Sequence, residues 1–287
     1  MGSLDKSAAS SFVYAKASGL LSKSFTGGNV GRLFAVRSLR ELYTLLFDAD
    51  VPGIPEVLLA KEIESKAKEN FITLYRGLLS EFERPARVLS EIISLFEYEN
   101  SEIFDNKKDV DAILSFWSSV LELSGSDKDN LKKLCLMEIS FKNIIWVLRL
   151  KVFYHLDNED ILNHLVYSGK NKKKSDIFVK DAVSVLSKDI SVYDDWKDWK
   201  YGKFLNRHEE GVVWELDPCW VERSFKNHLA KTYMRFFHKD PMSITSFVSW
   251  FRIKQNELDC ICSVAEGLRL GVENDEIMEI AGLSRKR

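Results

Sequence analysis

Glu138-Ile139-Ser140-Phe141-Lys142-Asn143-Ile144-Ile145, then Leu148-Arg149-Leu150, then Leu156-Asp157-Asn158-Glu159-Asp160-Ile161, is the stretch whose reading decides the fold, because the chain repeats it. The second copy reads Gln255-Asn256-Glu257-Leu258-Asp259-Cys260-Ile261, then Leu268-Arg269-Leu270, then Val272-Glu273-Asn274-Asp275-Glu276-Ile277. Asn143 and Cys260 stand 117 residues apart, and Ile161 and Ile277 stand 116 apart. A nearly constant offset carries more weight than either match alone, and internal repeats govern fold assignment. In both copies a long helical pattern leads into a short one whose acidic first turn suits the helix dipole. A fainter third copy lies at Phe96-Glu97-Tyr98-Glu99-Asn100.

Around these copies the apolar spacing is helical. Leu134, Phe141, Ile145, Leu148 and Val152 make one stripe of residues 131–153, while Leu136, Ile139, Val147 and Leu150 make a second. A helix apolar on two faces is buried between neighbours, so Glu138, Ser140, Asn143 and Arg149 must find partners or reach an edge. Short helical patterns come earlier, as at Leu39–Phe47. A break follows at Val51-Pro52-Gly53-Ile54-Pro55. Leu59, Ile63, Ala67, Phe71, Leu74 and Leu78 then mark an amphipathic helix. Pro85 suits the first turn of the next, through Val88, Leu89, Ile92, Ile93 and Phe96. The last long helix is expected from Ile244 to Leu268, just after Asp240-Pro241. Gly211–Leu216 is the best strand candidate, and one short run does not make a sheet. The chain reads as all-α.

Composition agrees. Only 14 Gly and 5 Pro punctuate 287 residues, which favours long helices over turn-rich β architecture. A net charge of −2 argues against a general nucleic-acid footprint. The longest apolar run, Ile144 to Leu150, already contains Arg149. It falls far short of the roughly 18 residues of a membrane span. The N-terminus lacks the basic and apolar regions of a signal peptide, so Cys135, Cys219, Cys260 and Cys262 read as reduced thiols.

Reactive chemistry is not visible in the sequence. Thr26-Gly27-Gly28-Asn29-Val30-Gly31 is not followed by the Lys-Ser/Thr of a phosphate loop and reads as a turn. The five histidines form no zinc-helix pair, and Cys260 and Cys262 point about 200° apart on a helix. No cofactor, metal or catalytic residue is expected. Trp196, Trp199, Trp214 and Trp220 suit core packing or, less commonly, interface anchoring. Lys170, Lys172, Lys173 and Lys174 read as a solvated loop, with contact to anionic headgroups as the rarer alternative.

The chain resembles the C-type subunits of V-type and archaeal-type rotary ATPases, a family whose eukaryotic members are called d. That family carries helices bearing an acid, two intervening residues and Asn, here seen as Glu97 to Asn100, Ser140 to Asn143 and Glu257 to Cys260. Asp240-Pro241 followed by Lys254-Gln255-Asn256-Glu257, the opening Tyr14–Leu21 segment and Ile54-Pro55-Glu56-Val57 also resemble it. Ser140 stands in place of the acid and Cys260 in place of the Asn. Only 43 residues separate Asn100 from Asn143, fewer than the family pattern has.

The resemblance implies a funnel-like assembly of helical-bundle repeats with approximate three-fold pseudo-symmetry and a shortened middle unit. The units expected are residues 1–105, 106–166 and 167–287. It further implies a non-catalytic socket seated on the cytoplasmic face of the membrane proteolipid ring, peripheral to the membrane and holding the D-type and F-type central shaft subunits. Glu97, Asn100, Glu138, Asn143, Arg149, Lys254 and Glu257 are the structural or interface candidates. Helix-to-helix hydrogen bonding within the core is the favoured role of the acid and Asn positions, with partner contact the alternative. A helical-repeat adaptor unrelated to the motor is the rival reading.

Overall fold

A computed structural model describes residues 3–100, 106–208 and 211–283. The unit boundary expected at residue 105 lies outside them. Among the described residues the fold is all-α with no strand. Helix α1 spans Ser3–Ser22, α2 Leu39–Phe47, α3 Glu56–Leu79 and α4 Arg87–Glu99. Then come α5 at Asn106–Leu121, α6 at Gly125–Val152, α7 at Asn158–Asn163 and α8 at Lys180–Leu186. The last three are α9 at Pro218–Lys239, α10 at Ile244–Leu270 and α11 at Asn274–Ile280. Short 3-10 turns cover Gly27–Arg32, Tyr193–Trp196 and Gly202–Phe204. The chain forms two compact units, residues 1–93 with 230–287 and residues 94–229.

In the first unit α10 packs along α3 and also meets α1, α2 and α11. Ser243 caps α10 by accepting from the backbone N–H of Ser246, which satisfies one of the orphan donors of the first turn. Asp240-Pro241 thus precedes the helix start as the sequence implies. At the other end Gly271 takes a left-handed φ of 70°, and its N–H reaches back to the carbonyls of Gly267 and Leu268. Phe251 lies between α10 and α3, with ring centroids 4.8 Å from Phe71 and 4.7 Å from Tyr75. The Trp250 indole donates to the Ala17 carbonyl at 3.0 Å, tying α10 to α1.

One apolar stripe needs correction. Leu74, expected on the inner face of α3, is 38% exposed, and Tyr75 is buried instead. Tyr75 follows Phe71 by four residues and shares its face. Its hydroxyl reaches the Leu89 carbonyl at 2.9 Å, so burial leaves no polar atom stranded.

In the second unit α6 is the central helix and packs against α5, α7 and α8. Both of its faces are buried, through Leu134, Phe141, Ile145 and Leu148 on one side and Ile139 and Val147 on the other. Leu136 and Leu150 of the second stripe and Val152 of the first are only half-buried, so both stripes are narrower than their sequence patterns. Phe141 stacks on Phe225 at 3.9 Å, and Trp117 meets Phe178 edge-on at 5.2 Å. Residues 211–216, the strand candidate, form no strand. They bury Trp214 and Leu216, and the Leu216 N–H donates to the Ile190 carbonyl at 3.0 Å. Trp196, Trp199 and Trp214 are core residues, whereas Trp220 is half-buried.

The long-then-short helix pair occurs twice, as α6 with α7 and as α10 with α11. Glu159 and Asp160 occupy the first turn of α7, Asp275 and Glu276 that of α11. Ile161 and Ile277 are the buried anchors of the two short helices.

Candidate functional site

Two buried polar arrangements stand at equivalent places in the repeat. On α6, Asn143 is 1% exposed. Its Nδ2 donates to the Val166 carbonyl at 2.9 Å and to the Phe178 carbonyl at 3.0 Å. Its Oδ1 accepts from the Val166 N–H at 2.9 Å. One amide therefore fixes the segment after α7 and the segment leading into α8. Ser140, one turn earlier, is buried beside it in sequence.

On α10 the buried polar group occupies the other member of the motif. Glu257, equivalent to Ser140, is buried, and its Oε1 accepts from the Phe25 N–H at 2.6 Å. Its Oε2 pairs with Lys254 one turn earlier on the same helix. The Lys254 ammonium also donates to the Ser24 hydroxyl at 2.9 Å. This ion pair thus grips the turn after α1. A cavity of about 230 Å³ adjoins it, lined in part by Lys23, Phe47, Asn70 and Leu74. Cys260, where the pattern has Asn, is buried. The two copies reach one end with different residues, since in each a polar group on the long helix holds a loop distant in sequence.

The remaining candidates sit differently. Arg149 is exposed and pairs with Glu222 of α9, which also faces Lys226 at 3.5 Å. Exposed pairs of this kind contribute little to stability. Glu138 is half-buried on α6. Glu97 and Asn100 are exposed at the end of α4, and the Asn100 amide donates to the Phe96 carbonyl of its own helix at 2.9 Å. The structure therefore does not gather the seven candidates into one place. Lys254 and Glu257 are the pair it joins.

Some polar work was not legible in the sequence. Lys151 donates to the carbonyls of Leu186 at 3.0 Å and Lys188 at 2.8 Å, closing the C-terminal end of α8. Burial holds its pKa below the usual lysine value, and Asp189 opposes that shift. Asp181 accepts from the Tyr201 hydroxyl at 2.6 Å and from Lys200 at 2.9 Å. Burial pushes its carboxyl upward, and those two hydrogen bonds together with the charges of Lys200 and Lys180 outweigh it, leaving the pKa below the usual carboxylate value. Of the basic loop, Lys170, Lys172, Lys173 and Lys174 are all exposed, and Lys172 donates to the Asn163 carbonyl at 3.0 Å.

A family model described as ATP synthase (C/AC39) subunit matches residues 40–280. The chain belongs to this family. The match bears out the resemblance carried by the acid and Asn positions, and it spans Asn143, Lys254 and Glu257. Ser24 and Phe25, the residues gripped by the α10 ion pair, lie before the matched span. A protein of Treponema pallidum described as uncharacterized is 21% identical over 323 residues, covering 93% of this chain and 95% of that protein. The C subunit of the A-type ATP synthase of Thermococcus gammatolerans is 26% identical over 224 residues, 76% of this chain and 55% of the archaeal protein. Its counterpart in Thermococcus onnurineus is 23% identical, over 83% of this chain and 66% of its own length. This member of the C/AC39 family thus spans 55% to 66% of the length of the archaeal proteins it matches. No helix among its described residues is long and apolar enough to cross a membrane.

Proposed function

We propose that the chain is the non-catalytic central-stalk subunit of a V-type or archaeal-type rotary ATPase. It works as a socket that couples the rotating shaft to the membrane proteolipid ring. The observation that carries this reading is the family match across residues 40–280. Two features support the mechanical part. A coupler must transmit torque without yielding, and the long helices α6 and α10 are locked to distant loops by the buried Asn143 and by buried Glu257 with its half-buried partner Lys254. Such networks favour a single arrangement over several when every member is satisfied.

In this reading the D-type and F-type shaft subunits and the ring are the partners. The chain sits peripherally on the cytoplasmic face and binds no cofactor, and ATP chemistry belongs to other subunits. The adaptor alternative draws no support from the family membership.

The test is purification of the ATPase complex from cells with and without this chain. Loss of the D-type and F-type subunits from the isolated proteolipid ring, with the catalytic head otherwise intact, is the expected result. Retention of the shaft on the ring in its absence would overturn the coupling role. Tight ATP binding by the isolated chain would overturn the non-catalytic one.

A further inference from the structure

The second unit holds a cleft of about 570 Å³ that none of the interface candidates enters. Its wall is cationic. Lys132 and Lys133 project from α6, Lys180 from the start of α8, and Lys203 from the 3-10 turn Gly202–Phe204. All four are exposed and form no ion pair among the described residues, although Lys180 feels the neighbouring Asp181 and the Lys203 ammonium sits 4.9 Å from the Phe204 ring centroid. Lys200 also lines the cleft, and it is already committed to Asp181 at 2.9 Å. In a chain of net charge −2, a depression lined by five lysines against Asp129 and Asp181 is a local departure from the average.

The floor has another chemistry. Met137, Phe141 and Phe204 line it, and Ile177 stands 41% exposed at its side. Lysine binds phosphate as a point charge, and built phosphate sites add backbone N–H groups, a glycine-rich turn or a forked guanidinium group converging on the same point. This cleft has lysine point charges on three separate elements around apolar side chains, one of them an adaptable Met. Asp129, also in the wall, would repel a compact polyanion placed there.

We propose that this cleft binds an acidic amphipathic protein segment, whose apolar side chains enter the floor while its spaced carboxylates meet Lys132, Lys133, Lys180 and Lys203. The observation that selects this occupant is charge complementarity combined with an apolar floor: separated cations match separated carboxylates. The site is argued from the second unit alone and stands whether or not the coupling role holds. Failure of the shaft-retention experiment leaves it unaffected.

The test is fluorescence anisotropy on the full chain, with a labelled peptide in which Leu and Phe alternate with Glu. Saturable binding is expected, weakened by salt and by about tenfold or more in Lys132→Glu/Lys133→Glu. A similar loss is expected in Lys180→Glu/Lys203→Glu, which carries the same charge change on other elements. Ile177→Asp should also weaken binding, whereas the loop control Lys173→Glu/Lys174→Glu should leave it unchanged. All variants alter exposed side chains, and circular dichroism melts check that each stays folded. Equal loss in the loop control would show general electrostatics and overturn the site. So would indifference to Ile177→Asp together with full displacement by pyrophosphate, which would mark a phosphate site. Binding to phosphatidylglycerol vesicles through these lysines, with no peptide binding, would overturn it in favour of a lipid surface.

Discussion

Asn143 holds Val166 by both of its backbone groups: Oδ1 accepts the N–H and Nδ2 donates to the carbonyl, each at 2.9 Å. The side-chain amide thereby acts as a strand-like partner for one residue of a loop 23 positions away, and its second N–H closes on the Phe178 carbonyl at 3.0 Å. Three backbone groups brought into this buried corner are paired through a single residue.

Replacement of Asn143 is therefore expected to be costly. Asn143→Leu removes both donors and the acceptor, leaving the N–H and carbonyl of Val166 and the carbonyl of Phe178 without their partner. Each buried group left unsatisfied costs about 1–3 kcal/mol, so a loss of about 3 kcal/mol or more is expected. Asn143→Asp keeps the acceptor but buries a carboxylate against the carbonyls of Val166 and Phe178, so it should cost at least as much as Leu. Urea melts measure this, with shaft retention on the ring followed on the same variants. Full stability with lost retention would place Asn143 at a partner surface and contradict its 1% exposure.

The ion pair on α10 makes a different prediction. Lys254→Met leaves the Glu257 carboxylate buried with the Phe25 N–H beside it and no cation, and removing one member of a buried pair costs about 3–5 kcal/mol. Glu257→Gln keeps an acceptor for that N–H and strands the ammonium instead. The double variant Lys254→Met/Glu257→Gln should recover much of the loss, because no buried charge remains. A double-mutant cycle on melting free energies reads the coupling. Additive single losses would mean that the two charges do not compensate each other.

The acid sensitivity of the second unit should trace to Asp181. Its folded pKa is lower than the ordinary 3.8: burial raises it, and the hydrogen bonds from Tyr201 and Lys200 with the charges of Lys200 and Lys180 together lower it by more. A carboxyl depressed on folding contributes stability that is present above its ordinary value and is lost as pH falls through the folded value. Melting temperature should thus hold level above about pH 5 with respect to this group and decline below the usual carboxylate range. Asp181→Asn removes that contribution and flattens this part of the acid limb. A wild-type slope in the variant would assign the acid sensitivity to other carboxyls.

The helices were legible because their signals are local. Apolar spacing marked α3, α6 and α10, and Asp240-Pro241 marked the approach to α10. The two-faced pattern of α6 already required Asn143 to find a partner indoors. The identity of that partner was not legible, since Val166 and Phe178 contribute backbone groups, which any sequence possesses. Lys254 and Glu257 share a helix face at three-residue spacing, a visible pairing. Their grip on Ser24 and Phe25 joins residues more than 200 positions apart and has no periodic signal. The same holds for the lysine-walled cleft, whose charges come from three elements. Leu74 and Tyr75 show the limit of periodicity on α3. Both suit an apolar stripe by type, and only packing against Phe251 and the Leu89 carbonyl selects the tyrosine.

Gly267 is where the second repeat copy admits no side chain. It is buried on α10, and a Cβ there would lie 2.4 Å from Cδ1 and 2.6 Å from Cγ1 of Ile277. Ile277 is the anchor of α11 and is itself 1% exposed, so it has little open space into which to move. On an exposed helix, Gly→Ala would stabilise by about 1 kcal/mol through propensity alone. Here overpacking opposes that gain at about 1–3 kcal/mol. Gly267→Ala is therefore expected to leave stability unchanged or lowered, and to loosen α11 before the rest of its unit. Hydrogen exchange resolves the two effects. Faster exchange at the backbone N–H groups of Ile277 and Ala281, which donate to Glu273 and Ile277, is the expected signature. The double variant Gly267→Ala/Ile277→Val removes Cδ1 but keeps Cγ1 at 2.6 Å, so it should restore protection only in part relative to Gly267→Ala. A stabilised Gly267→Ala with unchanged exchange in α11 would show that Ile277 yields freely and that the close approach does not hold the short helix in place.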